Sequence, residues 1–163
     1  MRILGSLATS LAAAALVLGA GGTAFAATVS GTSGADDLHG TSTADRIRAL
    51  AGDDVVHAGA GADRVRGGRG ADRLYGQRGA DVLIDATGPA RDHLYGGAGN
   101  DLIDANYKDQ VSGGSGNDEI VIAYPDPTMR IDCGSGRDRV TFNQAHPGVT
   151  LIGCEKVRIV SAG

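Results

Sequence analysis

The sequence has no tryptophan, two phenylalanines and four tyrosines, so large aromatic side chains can contribute little to a core. A conventional globular core built on large apolar side chains is therefore not expected. Glutamate is also scarce, since 17 of the 19 acidic residues are aspartate and only Glu119 and Glu155 are glutamate. Glutamate favours helices, whereas aspartate suits turns and compact oxygen-ligand sites. This imbalance indicates many turns that require a short carboxylate.

The sequence also lacks the features of nucleic-acid-binding proteins and of common enzymes. Its formal net charge is −4, and its arginines alternate with aspartates instead of forming basic runs, so no nucleic-acid partner is expected. The histidines His39, His57, His93 and His146 are isolated, and no metalloprotease, nucleophile-elbow or dinucleotide-binding motif occurs. We therefore predict that the protein is not an enzyme.

Glycine, in contrast, is abundant, with 27 of 163 residues, and from Gly31 onward the chain repeats every nine residues. Clean copies begin at Gly67, Gly96 and Gly113, and their consensus is G-G-x-G-x-D-x-(aliphatic)-x. Position six is filled by Asp36, Asp45, Asp54, Asp63, Asp72, Asp81, Asp92, Asp101, Asp109, Asp118 and Asp138. Position eight is filled by Leu38, Ile47, Val56, Val65, Leu74, Leu83, Leu94, Ile103, Val111, Ile120 and Val140. Two columns held so strictly indicate a repeat architecture.

This pattern resembles the RTX nonapeptide repeat, also called the hemolysin-type calcium-binding repeat. The resemblance covers Gly31 to about Thr141 and implies an all-β fold, a parallel β-roll in which two nonapeptides form one coil. It also implies that the glycine-rich half of each copy turns around Ca²⁺ while the x-aliphatic-x half forms a short strand. The implied metal ligands are the aspartates at position six.

The residue types indicate the same chemistry. Glycine at positions one, two and four permits backbone conformations that other residues resist, so turn carbonyls can point inward beside the aspartate. Ca²⁺ takes oxygen ligands of these two kinds, at about 2.3–2.6 Å. One buried aliphatic side chain per copy offsets only part of the entropy lost in ordering nine residues. We therefore expect calcium to be required for folding. In the alternative, a metal-free solenoid uses Asp-Gly turns only for their geometry, but its rows of carboxylates would repel.

Alternate copies should lie on the same side of the roll and so form two rows of aspartates. Most copies of the second row keep their position-four glycine, so we predict the strongest calcium sites at Asp63, Asp81, Asp101 and Asp118. The next sites are predicted at Asp36, Asp54 and Asp72. Asp92 and Asp109 are the weakest candidates, because the copy ending at Tyr95 has two extra residues and the copy of Asp109 is one residue short, with Lys108 beside Asp109 where a glycine turn is expected.

Two strips of outward side chains are expected on the strands. An aromatic strip at position nine either packs as a cross-strand ladder, which we favour, or binds a sugar or protein partner; its members are His39, His57, Tyr75 and Tyr95. An apolar strip either docks a partner or is covered by residues 122–132, which interrupt the repeat with Pro125 and Pro127; we favour a covered strip. Its members are Val82, Ile84, Leu102 and Val121.

The N-terminal region differs from the repeats. Residues 1–26 begin with Arg2, continue as an apolar alanine-rich run and end in Ala24-Phe25-Ala26, the pattern of a secretory signal peptide. A retained membrane anchor is the alternative, but the run is short and interrupted. We expect a secreted, extracellular protein without a membrane span, with β-roll repeats over residues 27–141.

The C-terminal region, residues 133–163, is predicted to form a β cap, because an open last coil would expose strand edges and core. It holds both cysteines, Cys133 and Cys154, which we expect to pair in an oxidising compartment. Free thiols or metal ligation are the alternative, but no third cysteine or histidine has suitable spacing. The segments around the two cysteines are similar to the ending of small secreted calcium-binding proteins from actinobacteria.

These features predict a secreted calcium-binding repeat protein with a structural or interaction role outside the cell. Its expected partners are calcium ions and an extracellular glycan or protein. The alternative is an accessory module or enzyme that acts on extracellular polysaccharide, because a β-helix can carry such chemistry on its face.

Overall fold

A computed structural model describes residues 26–85, 88–145 and 148–160 of the protein. The predicted signal peptide therefore lies outside the described residues, apart from Ala26. The strands in order are β1 (Thr28–Ser30), β2 (Asp37–His39), β3 (Arg46–Ala51), β4 (Val55–Ala60), β5 (Arg64–Arg69), β6 (Arg73–Arg78), β7 (Val82–Ile84), β8 (His93–Ala98), β9 (Leu102–Tyr107), β10 (Gln110–Ser115), β11 (Glu119–Pro125), β12 (Arg130–Ser135), β13 (Arg139–Phe142), β14 (Thr150–Ile152) and β15 (Lys156–Ile159). In this part of the chain no helix has the length and hydropathy needed to cross a membrane.

The strands form two parallel sheets, because the chain passes from one sheet to the other at every turn. The odd-numbered strands β1 to β15 make an eight-stranded sheet, and the even-numbered strands β2 to β14 make a seven-stranded sheet. Equivalent repeat positions stack in register, as for Leu38, Val56 and Leu74 in successive even strands. The predicted all-β parallel β-roll, with two nonapeptides per coil, is confirmed.

The interior of the repeats contains mainly one large aliphatic side chain per nonapeptide. Aliphatic residues at position eight are buried while their neighbours at positions seven and nine face outward, as the alternation of a strand requires. Leu74, Leu83, Leu94 and Ile103 have no exposed surface. The small volume of this layer means that the turns must contribute much of the stability.

The C-terminal coils have a more apolar interior. Ile122 and Phe142 occupy the inward position one, where the repeats have mostly glycine or alanine, and Met129 replaces aspartate at position six. All three side chains are buried. Cys133 and Cys154 form a disulfide in these coils, which confirms the predicted pairing.

Residues 122–132 do not interrupt the solenoid, which corrects the sequence-based expectation. Strand β11 extends to Pro125 and β12 begins at Arg130, so the segment supplies the turn that continues the coil from one sheet to the other, with Ile131 stacked beside Val111. The prolines break the sequence pattern but lie at the end of β11, where the register with β9 shifts before Pro125 pairs with Tyr107, and in the following turn.

The apolar strip therefore stays open, and the expectation that residues 122–132 cover it is wrong. Val82 pairs with Leu102, and Leu102 keeps 39 % of its surface exposed. The predicted cap also continues the roll, because β14 pairs with β12 and β15 pairs with β13.

The aromatic strip forms a stacked ladder on the even sheet. Ring centroids are 5.1 Å apart for His39 and His57, 4.8 Å for His57 and Tyr75, and 4.9 Å for Tyr75 and Tyr95, with interplanar angles of 13°, 6° and 5°. The rings pack as the ladder interpretation predicts. Because each face covers the next, the strip presents mainly ring edges, whereas sugars stack on ring faces. A glycan or protein partner at this strip stays a prediction.

Candidate metal centre

The structure brings all eleven predicted aspartates into the roll, at the turn before a strand, and none is more than 7 % exposed. Row one contains the aspartates before even-numbered strands, Asp36, Asp54, Asp72, Asp92 and Asp109. Row two contains those before odd-numbered strands, Asp45, Asp63, Asp81, Asp101, Asp118 and Asp138. The nine-residue repeat therefore places the buried aspartates in two rows, one at the start of each sheet's strands.

Hydrogen bonds along each row connect the backbone of one aspartate to a carboxylate oxygen of the next. Within each row the backbone N–H of an aspartate donates to Oδ1 of the aspartate one coil later, over 2.8 Å from Asp63 to Asp81 and 3.1 Å from Asp92 to Asp109. Row one ends at Asp109, whose N–H donates to the Asn106 carbonyl oxygen at 3.2 Å. Row two ends at Glu155, whose Oε2 accepts from the Asp138 N–H at 2.7 Å. Sequence reasoning missed Glu155, although it stands 17 residues after Asp138, one short coil length.

The other carboxylate oxygen is buried without a hydrogen-bond partner in seven of these residues. The orphan Oδ2 atoms belong to Asp54, Asp63, Asp72, Asp81, Asp101, Asp118 and Asp138. At the N-terminal end the backbone N–H groups of Thr32 and Thr41 donate to Oδ2 of Asp36 and Asp45 instead. A buried charged oxygen without a partner is costly, so the rows require a positive group.

The electrostatics of the rows indicate the same need. Burial raises the pKa of Asp54, Asp63 and Asp101 to about 6, and repulsion from neighbouring row carboxylates adds to this increase. Hydrogen bonds from the backbone lower the pKa only in part. At neutral pH the rows are therefore charged at a free-energy cost that cations between the carboxylates would remove.

The position-one glycines keep open the space beside the orphan oxygens. A Cβ atom at Gly76 would lie 2.5 Å from both Asp81 Oδ2 and the carbonyl oxygen of Gly96. A carboxylate and a carbonyl oxygen thus converge on a space that any side chain would fill. Oxygen donors of these two kinds are the ligands that Ca²⁺ prefers. The residues present therefore fit calcium.

Comparison with protein families agrees with this chemistry. The RTX calcium-binding nonapeptide repeat (4 copies) matches residues 30–65, 57–84 and 87–106. The chain contains RTX calcium-binding nonapeptide repeats. No curated protein matches the chain. Because RTX repeats bind Ca²⁺, the predicted cofactor is confirmed. The likeness to small actinobacterial proteins stays a prediction.

The RTX copies differ in the space that their turns leave for an ion beside the aspartate. Asp81 and Asp101 each combine an orphan Oδ2 with a position-one glycine, whereas Ala58 places a methyl group at this position in the copy of Asp63. Asp109 has its Oδ2 occupied by the N–H of Asn106 at 2.7 Å. The order of calcium affinities along the RTX repeats stays a prediction, and the geometry favours Asp81 over Asp109.

One buried acidic residue of the RTX region, Asp85, is missing from the predicted ligands. It occupies position one of the copy that ends at Tyr95, where other copies have a small residue, and it packs against row one. Burial and the charges of Asp92, Asp72 and Asp109 raise its pKa to about 9. The sequence does contain an indication of this residue, because a charged side chain at position one departs from the small residues of the other copies.

We predict that Asp81→Ala weakens calcium binding by about tenfold, equal to about 1.4 kcal/mol, whereas Asp109→Ala has a smaller effect. The reason is that Asp81 has an open turn and an orphan oxygen, while both oxygens of Asp109 already accept backbone hydrogen bonds. Isothermal titration calorimetry of the two variants and the parent checks this order. Equal losses of affinity would contradict it.

We also predict that acid stabilises the calcium-free fold. The pKa of Asp54, Asp63 and Asp101 is about 6 in the fold, against 3.8 for an ordinary aspartate. The folded state thus binds more protons between about pH 4 and pH 6, and the free energy of unfolding falls as pH rises through this window. Far-UV circular dichroism of calcium-free protein should show more β structure at about pH 4 than at pH 7. A spectrum that does not change over this range would refute the prediction.

Proposed function

We propose that this is a secreted protein whose RTX repeats fold into a rigid β-roll when calcium fills the aspartate rows, and that it has a structural or interaction role outside the cell. The observation that carries the proposal is the set of seven buried carboxylate oxygens without partners in the two rows. Calcium would neutralise these oxygens and join successive coils. Metal binding and folding are then one process.

The extracellular setting is supported by two features. The first 26 residues have the composition of a signal peptide, and Cys133 and Cys154 form a disulfide, which persists mainly in oxidising compartments. Extracellular calcium is abundant, so weak sites at the millimolar end of the protein range would be filled there. A chain that folds only after export would cross the membrane in an unfolded state.

A non-catalytic role is supported by the position of the acidic residues. The row aspartates lie inside the roll, at most 7 % exposed, and the Oδ1 atoms of residues such as Asp81 and Asp101 are held by the backbone of the adjacent coil. A general acid or base must instead reach the substrate within hydrogen-bond distance. A structural role, in which these aspartates bind calcium and hold the coils together, explains their position without any catalytic function.

Expression of the full chain in a secreting bacterial host tests the proposal. We expect protein in the medium whose mass corresponds to a start at Ala27 and an intact disulfide, and whose β structure depends on calcium. Retention inside the cell would overturn the secreted role. Cleavage of polysaccharides by the purified protein would replace the structural role with the enzymatic alternative.

A further inference from the structure

Asp85 places an additional carboxylate inside the roll, at a position that the repeat pattern reserves for a small residue. The equivalent residue is glycine or alanine in the other copies of row one, such as Gly67 before Asp72 and Ala105 before Asp109. Asp85 is 1 % exposed. One carboxylate oxygen from each of Asp72, Asp85 and Asp92 lies within 4.8 Å of the others.

The hydrogen bonds around this cluster leave several oxygens without a donor. Both oxygens of Asp85 and the Oδ2 of Asp72 are buried and have no partner. Asn106 donates its Nδ2–H to the Asp85 carbonyl oxygen at 3.0 Å, and its own Oδ1 is also buried without a partner. The Gly68 backbone lies close enough to lower the pKa of the Asp85 carboxyl group, but it is one donor against several buried acceptors, and such an excess of acceptors indicates a cation.

The turn of the neighbouring copy keeps space for an ion beside these oxygens. A Cβ atom at Gly67 would lie 2.5 Å from Asp72 Oδ2 and 2.5 Å from Asp85 Oδ2. Two carboxylates from different copies thus converge on one space. In the regular turn at Gly76 the second oxygen is a backbone carbonyl, so the turn at Gly67 is more negative.

We propose that Asp72, Asp85 and Asp92 form a separate Ca²⁺ site in the interior of the roll, which the repeat pattern does not encode. Oxygens at about 2.3–2.6 Å from one ion lie at most about 4.6–5.2 Å apart, which matches the cluster. Mg²⁺ fits poorly, because it retains several waters and these side chains are almost fully buried. This inference rests on the proposed calcium binding of the rows and adds one ion to it.

The site predicts that the effect of removing Asp85 changes sign with calcium. Without calcium the polar carboxyl group of Asp85 is buried without a side-chain donor, which costs free energy in either protonation state, so Asp85→Ala should leave the calcium-free chain equally or more structured. With calcium the same substitution removes a ligand and should raise the calcium concentration at the folding midpoint about tenfold. The coil should accept alanine, because Ala49, Ala58 and Ala105 occupy the equivalent position in other copies.

Calcium titration of the full chain, followed by calorimetry and circular dichroism, tests the site. Asp85→Ala should bind one Ca²⁺ fewer than the parent. Asp104→Asn is the matched control, since it removes a charge from strand β9, which pairs with β7 just before Asp85, without entering the cluster. It should keep the stoichiometry of the parent.

Crystals grown in calcium, or soaked in a lanthanide, give a second measurement that does not depend on a variant. An anomalous peak at about 2.3–2.6 Å from the Asp85 carboxylate is the expected result. Peaks along the rows with none at Asp85 would overturn this site and leave the rows intact, as would an Asp85→Ala variant with unchanged stoichiometry and midpoint. A protonated Asp85 would then satisfy the cluster. If the parent binds no calcium, the proposed function fails as well.

Discussion

Removal of calcium is expected to convert the protein from a β-roll to a largely unfolded chain. Each nonapeptide buries only one large aliphatic residue, as Leu74 and Leu83 illustrate, while ordering the backbone of nine residues costs much conformational entropy. The two rows add buried carboxylates such as Asp63 and Asp101, whose raised pKa of about 6 shows that their ionised form is unfavourable without a counter-charge. Loss of the ions therefore removes a large stabilising contribution and leaves mutual repulsion.

The measurement is far-UV circular dichroism of the full chain in excess chelator, followed by titration with calcium. We expect a disordered spectrum that becomes a β spectrum in a cooperative transition, because each ion links neighbouring coils and each coil contacts only its neighbours. Magnesium at the same concentration is the control and should restore much less structure. A complete β spectrum in chelator would refute the coupling of metal binding to folding.

The second large effect is expected from Gly79→Ala, which should prevent formation of a stable roll. Gly79 has a φ of +133°, which side chains rarely adopt, and a Cβ atom there would overlap the carbonyl oxygen of Gly61 in the stacked turn. The overlap can be removed only if the turn of Gly79 moves away from the turn of Gly61. Such a movement is opposed because the Gly79 N–H donates to the Ala98 carbonyl oxygen of the next coil at 2.8 Å. We expect a loss above about 4 kcal/mol, which is exceptional for one substitution.

Gly88→Ala is the matched control for this variant. Gly88 also has a positive φ, of +100°, but a Cβ atom there would meet nothing within 4 Å. Its substitution should therefore cost only the backbone strain, about 1–2 kcal/mol. Urea unfolding of both variants in saturating calcium checks the difference. Equal stability of the two would show that the contact between stacked turns is not the cause.

The regular part of the fold was predictable, because it follows from a local pattern that repeats. Leu74 and Asp72 recur at fixed distances in each copy, and strand alternation then sends the leucine inward. The pattern also predicted the two rows, since alternate copies must stack. It did not predict how much space each turn leaves for an ion, because the space beside Asp63 depends on the buried methyl group of Ala58.

The irregular parts were not predictable, because a coil can absorb extra residues in its turn without losing strand register. Equivalent aspartates lie 18 residues apart from Asp36 to Asp54, but 20 from Asp72 to Asp92 and 17 from Asp92 to Asp109. An insertion with two prolines at residues 122–132 therefore has the same sequence signature whether it ends the roll or widens one turn. Only the observed pairing of β12 with β10 distinguishes the two.

The sequence by itself determined the repeat, the inward aliphatic layer, the rows of buried aspartates and the family's calcium, because each follows from a pattern within nine residues. Only the tertiary structure decided which side chains from different coils meet. It placed Asp85 against Asp72 and Asp92, and it gathered arginines that alternate with aspartates in the sequence onto one face of the odd sheet, where Arg46 lies beside Arg64 and Arg48 beside Arg66. The physical reason is that stacking brings together residues about two copies apart, and a pattern within one copy does not predict which side chains of neighbouring coils come into contact.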